Sequence, residues 1–115
     1  MRISLVLLLS TSLLTAADWP EFRGSNAQGQ SDATNLPLTW SPISHIAWKA
    51  AVAGVGWSSP VVIGDRIFLT SALPVGGVED PKANRSLHAL ALDAATGKPV
   101  WDVEIFTATS PRTHR

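Results

Sequence analysis

Ala91-Leu92-Asp93-Ala94-Ala95-Thr96-Gly97-Lys98-Pro99-Val100-Trp101 is the stretch from which the fold is read. Asp93 to Lys98 forms a tight turn. The short polar side chains of Asp93 and Thr96 can bond the turn backbone, and Gly97 supplies a positive φ that other residues resist. The ring of Trp101 then lies across a neighbouring layer and provides most of that contact's apolar burial. A strand enters the turn over Ser86 to Leu92, and another leaves it over Pro99 to Phe106. Along the second, Trp101, Val103 and Ile105 share one face, opposite Asp102 and Glu104. One clean polar face marks an edge strand, whereas strands apolar on both faces must be covered on both sides.

Further toward the N-terminus, Ser59-Pro60-Val61-Val62-Ile63 reads as a strand. Gly64-Asp65 is a two-residue turn, and Gly at its first central position suits a type II′ hairpin. Arg66 to Ala72 returns antiparallel, with Ile67, Leu69 and Ser71 on one face and Phe68 and Thr70 on the other. Leu73 to Arg85 carries Pro74, Gly76-Gly77 and Pro81, and is expected to be an exposed loop. His45 to Val52 alternates, and is expected to be a further strand with Ile46, Trp48 and Ala50 on one face. Helical patterning is poor throughout. The expected fold class is all-β: a β-propeller blade of four-stranded antiparallel sheet, part of an incomplete propeller.

The stretch from Ala91 fits the pattern A-x-D-x-x-T-G-x-x-x-W at every fixed position. It resembles the tryptophan-docking motif of the pyrroloquinoline quinone (PQQ)-like β-propeller repeats, the propellers of quinoprotein alcohol dehydrogenases. The resemblance makes Ala91, Asp93, Thr96, Gly97 and Trp101 structural docking residues. Trp57-Ser58-Ser59-Pro60-Val61-Val62 followed by Gly64-Asp65-Arg66-Ile67-Phe68 is similar to the upstream half of the same repeat. Trp48, 53 residues before Trp101, resembles the equivalent tryptophan of a preceding unit. That spacing exceeds the roughly 40–45 residues common in propeller blades, and the Leu73–Arg85 insertion accounts for the excess. Trp19-Pro20-Glu21-Phe22-Arg23-Gly24 and Leu36-Pro37-Leu38-Thr39-Trp40 resemble the N-terminus of secreted members from planctomycete-type bacteria. On this reading residues 1–17 are a signal peptide, 18–44 an extended lead-in segment, 45–106 a blade, and 107–115 the start of a continuation. Ser110-Pro111-Arg112-Thr113-His114-Arg115 reads as a loop broken off, making the chain an N-terminal fragment. One blade cannot bury both its faces, so the remaining blades are expected to be required, and without them Ile46, Phe68, Leu90 and Trp101 are expected to be left on faces with no neighbour.

Composition narrows the function. The 115 residues carry nine basic and nine acidic side chains, a balance without the electrostatic footprint of a nucleic-acid or anionic-membrane binder. Cysteine is absent, which excludes disulfides, thiol catalysis, zinc-thiolate sites and a lipid-anchoring cysteine. Arg2, the apolar run Ile3 to Leu9 with Leu13-Leu14, and Thr15-Ala16-Ala17 have the parts of a signal peptide cut after Ala17. The apolar stretch is short of the roughly 20 residues that span a bilayer. The product is expected in the periplasm or outside the cell, with no membrane span after cleavage. In the lead-in segment Trp19, Phe22, Leu36, Leu38 and Trp40 are expected to anchor on something larger.

Catalytic members of the resembled family hold PQQ over the propeller axis, with calcium bound by acidic and amide oxygens, an aspartate base and in many cases a vicinal disulfide. No cofactor-binding, metal or catalytic residue is assigned here. PQQ and calcium enter only if downstream blades supply their ligands. Asp93 and Asp65 read as turn residues. Trp57 reads as a core or inter-blade packing residue, with stacking on a planar cofactor as the alternative. Gly54-Val55-Gly56-Trp57-Ser58-Ser59 lacks the third glycine of a dinucleotide loop, and Pro60 forbids a nucleophile elbow at Ser58 or Ser59. His45, His88 and His114 lack a second ligand at metal-site spacing. His88 reads as a hydrogen-bonded core residue. Gly24 to Asp32 does not match a calcium loop and reads as a solvated turn. Asn84-Arg85-Ser86 is a formal glycosylation sequon, read as idle.

The expected function is an exported PQQ-like propeller acting as a non-catalytic binding or assembly scaffold for an exported protein partner or a small molecule. The alternatives are a PQQ-dependent alcohol or sugar dehydrogenase with its site in other blades, and a sugar- or polymer-binding propeller.

Overall fold

The computed structural model describes residues 18–77 and 83–109. The expected signal peptide, the loop centre and the segment from Ser110 to Arg115, with His114, lie outside them. The described residues form one four-stranded antiparallel sheet and no helix. Its strands are β1 (Val61–Ile63), β2 (Arg66–Pro74), β3 (Arg85–Asp93) and β4 (Pro99–Ala108), hydrogen-bonded in chain order. Consecutive antiparallel neighbours need only short connections. Gly64-Asp65 joins β1 to β2 with Ile63 opposite Arg66. Gly64 has φ +58, and Asp65 keeps an ordinary negative φ, as a type II′ turn requires.

Register assigns the faces. His88 lies opposite Ser71 and Glu104, and Leu90 opposite Leu69 and Asp102. These residues, with Ser86 and Leu92, make up the histidine face. Ala91 lies opposite Phe68 and Trp101, and Ala89 opposite Thr70 and Val103. They define the tryptophan face, where the Phe68 and Trp101 rings sit 6.1 Å apart and tilted at 45°. Such a tilted pair matches the charge distribution of the two rings.

The sheet differs from the expected one in four places. The segment from His45 to Val52 is not a strand. His45 has φ +60, outside the strand region, and its Nδ1 lies 2.8 Å from Thr39 O. The segment is tied to the sheet through side chains, Trp48 Nε1 on Ala94 O and Ser71 Oγ on Ala53 O, and has no ladder partner until Val55 bridges Ala72. Second, the expected loop begins later than Leu73. β2 continues to Pro74, which pairs with Arg85, and Val75 N donates to Asn84 O at 2.9 Å. Third, β4 does not alternate strictly. Leu87 faces Phe106 while His88 faces Glu104, leaving Ile105 as an extra residue, and Val100 is extra between Pro99 and Trp101. Phe106, not Ile105, therefore takes the ladder position after Val103. Fourth, Leu90 is not left uncovered on an open face.

The core is small. Leu90 (7% exposed), Ala91 and Leu92 are its buried apolar residues, all on the inner strand β3. Leu90 and Leu92 share their face with Ser71, whose Oγ donates to Ala53 O at 2.5 Å. The lead-in chain thus lies over this side of the sheet. Gly54, at φ +86, passes so close that a Cβ there would stand 2.5 Å from Ala72 O. The tryptophan face has no such cover among the described residues, and β4 is exposed along nearly its whole length. At the opposite edge Trp19 pairs with Val62, and Asp18 Oδ1 accepts from Gly64 N at 2.7 Å. Phe22, Leu36, Leu38 and Trp40 are exposed.

Candidate functional site

Two constellations stand out, at opposite ends of the β3–β4 hairpin. The first is the turn itself. Asp93 Oδ1 accepts from Thr96 N at 2.9 Å and from Thr96 Oγ1 at 2.7 Å, while Gly97 N donates to Asp93 O at 2.8 Å. These donors hold the Asp93 carboxyl below its ordinary value of 3.8, the Thr96 hydroxyl most strongly, with a further contribution from Arg66 3.5 Å away. Ala94 N donates to Asp65 O, so the β1–β2 and β3–β4 turns are tied together.

Trp48 closes over this turn. Its Nε1 donates to Ala94 O at 3.0 Å, and its six-membered ring lies against Gly97. Gly97 is required twice. Its φ is +70, and a Cβ would collide with the Trp48 ring. Of the five residues picked out in the sequence, Asp93, Thr96 and Gly97 form this turn. Ala91 is fully buried beneath the Phe68–Trp101 pair, and Trp101 lies on the open face, 41% exposed.

The second constellation is a polar cluster that the sequence reading found only in part. His88 was expected to be hydrogen-bonded, but its partners were not visible. One is Ser86, two residues away on the same strand, and the other is Asp102, 14 residues away, which the β3–β4 register brings alongside. His88 Nδ1 lies 2.6 Å from Asp102 Oδ1, and its Nε2 lies 2.9 Å from Ser86 Oγ. Ser86 Oγ also donates a short hydrogen bond to Glu104 Oε2, and Thr107 Oγ1 donates to Glu104 Oε1 at 3.2 Å. The Ser86 bond is the largest influence keeping the Glu104 carboxyl below its ordinary value of 4.5. The signal in the sequence was the alternation of Ser86 and His88 on β3 with Asp102 and Glu104 on β4.

Serine, histidine and aspartate stand here in hydrolase order, yet the details differ from an acyl-transfer site. Ser86 is buried, and its single hydroxyl proton goes to Glu104, not to the imidazole. Among the described residues no group of three His, Asp or Glu side chains is arranged to hold a metal ion. His45 is remote from the cluster, bonded to Thr39. Trp57 is 87% exposed and does not pack in this chain's core. Gly56 runs against Thr70 O, and the indole forms one wall of an apolar groove with Val55, Ile105 and Phe106. Among the described residues, no helix is long and apolar enough to cross a membrane.

Comparison with protein-family models gives no match, and neither the curated proteins nor the solved structures give a significant one.

Proposed function

We propose that the chain is a repeat unit of an exported PQQ-like β-propeller, used as a non-catalytic binding or assembly scaffold. The observation that carries this reading is Trp48 seated on the Asp93–Gly97 turn, with its indole N–H on Ala94 O. A tryptophan from before the sheet locks onto the turn of the sheet. Trp101 stands after that turn as Trp48 stands before it, and it remains open to a further unit. The uncovered tryptophan face, with Phe68, Trp101, Val103 and Phe106, is the surface that such a unit would bury. Exposed contiguous apolar surface of this kind marks an interaction site. The partner is then another blade on that face and an exported protein or small molecule elsewhere on the assembly.

The test is to express the protein as its gene encodes it and titrate it with PQQ and calcium, with dye-linked alcohol or sugar oxidation as readout. The scaffold reading expects neither binding at high micromolar PQQ nor turnover. Stoichiometric binding with turnover would replace it with a quinoprotein dehydrogenase. Export is checked separately by N-terminal sequencing of the periplasmic or secreted protein, where the expected first residue is Asp18.

A further inference from the structure

The Ser86–His88–Asp102–Glu104 cluster joins an inner strand to the exposed edge strand, and with both carboxylates ionised its hydrogen bonds have one consistent set of directions. The Ser86 hydroxyl has a single proton, which it gives to the ionised Glu104. The 2.9 Å contact with His88 Nε2 must then be donated by the ring. At the other nitrogen, Asp102 is ionised and can only accept, so Nδ1 donates as well. A ring that donates from both nitrogens is the imidazolium. The cluster is built for a charged histidine between two carboxylates.

We propose that His88 is a proton-operated latch between β3 and β4. In the charged state the ring holds Asp102 directly, and it holds Glu104 through Ser86. When the ring loses its Nε2 proton, that nitrogen becomes an acceptor facing the Ser86 hydroxyl. The hydroxyl turns from Glu104 to His88, and Glu104 loses its strongest bond to β3. Asp102 keeps its bond to Nδ1–H. The latch is closed while the ring carries both protons and opens when it gives up the one on Nε2. Two carboxylates left beside a neutral ring also repel one another, which adds to the opening.

Among the described residues, the groups that face the ring are few. The ring is faced from β4 by Asp102 and Glu104, from β2 by the uncharged Ser71, and from β3 by Ser86 and Leu90. Residues 52–58 of the lead-in chain, which lie against β2 here, contain no ionisable side chain. Arg66 and Arg85 belong to the alternate positions of the other face. Glu104 also borders the extra residue Ile105, so the bond that is lost lies at one of the two irregular points of the ladder.

The test is nuclear magnetic resonance on the full chain between pH 5 and 8, following the His88 ring nitrogens and the Glu104 side-chain carboxyl carbon. The expected result is a ring protonated on both nitrogens at the acid end and on Nδ1 alone at the basic end. The Glu104 carboxyl signal should shift with the same midpoint as the ring. In Ser86→Ala most of that Glu104 shift should disappear while the ring still titrates. Ser86→Thr keeps a hydroxyl and should restore it. A neutral ring carrying its proton on Nε2 would overturn the proposal. So would a wild-type Glu104 signal that ignores the ring, or a Glu104 response of undiminished size in a folded Ser86→Ala protein. The wild-type readings decide the matter even if the alanine variant fails to fold.

Discussion

Trp48 and Gly97 are in van der Waals contact across the β3–β4 turn, and the same indole donates to Ala94 O at 3.0 Å. A residue from the irregular lead-in chain thus closes a turn of the sheet. The contact joins a large ring, a glycine without a side chain and a turn carbonyl, and each can be tested separately.

Gly97→Ala adds a Cβ against the ring at a backbone angle that side chains resist. It is expected to destabilise the fold by about 1–3 kcal/mol. Trp48→Phe keeps much of the ring contact and loses the hydrogen bond, and is expected to lose about 1 kcal/mol. Urea midpoints, followed by far-ultraviolet circular dichroism, should rank wild type above Trp48→Phe. Equal midpoints for all three proteins would show that the turn is held without Trp48.

Asp93 gives the turn a dependence on acid. Its carboxyl is held below the ordinary value of 3.8 by Thr96, so it contributes stability above that value. That contribution fades as pH falls through the lower folded-state value. In Asp93→Asn this part of the acid loss should be missing, with a flatter stability profile below about pH 4. Denaturant midpoints measured from pH 6 downward check it. A wild-type profile no steeper than that of Asp93→Asn would remove Asp93 from the account.

At Gly64 a Cβ would meet open space, yet φ is +58. Gly64→Ala should therefore destabilise through the backbone alone, by about 1 kcal/mol. Gly64→Asn should lose less, because asparagine tolerates the left-handed region. If alanine and asparagine prove equal, steric strain at this turn is not the operative effect.

The tryptophan face offers a solubility test. Trp101→Lys places a charge at the centre of the exposed apolar surface and is expected to weaken self-association several-fold in sedimentation velocity. A change at exposed Leu38, on the lead-in segment, should leave association unaltered. Equal effects at both positions would mean that association is not localised to this face.

The sheet was legible wherever a local rule decided the outcome. Gly64-Asp65 set the first hairpin, and Asp93, Thr96 and Gly97 set the second, because turn chemistry depends on neighbours in sequence. The strand expected over His45 to Val52 was misread because alternation gives a period but not a partner. Ile46, Trp48 and Ala50 had no ladder to join. The extra residues Val100 and Ile105 were hidden for a related reason. A bulge belongs to a pair of strands, and neither strand records it alone. The polar cluster depended on that same register. His88 was visible as a hydrogen-bonding residue, but Asp102 became its partner, and Glu104 that of Ser86, only once β3 and β4 were aligned. Trp57 was read as a core or inter-blade packing residue, and its indole, 87% exposed, lies outside the core of this sheet.

The irregular β3–β4 ladder has one more consequence, for behaviour at high concentration. A ten-residue edge strand carrying tryptophan, valine, isoleucine and phenylalanine would be a good template for adding identical strands without limit. Fibrillar stacking draws on flat, uncharged segments of about six residues. In β4 the longest unbroken run of pairs with β3 is four, from His88 to Ala91. It ends at Val100 on one side and at Ile105 on the other, and Asp102 and Glu104 lie within the span. The strand is long enough to finish the sheet and too uneven to seed a fibre.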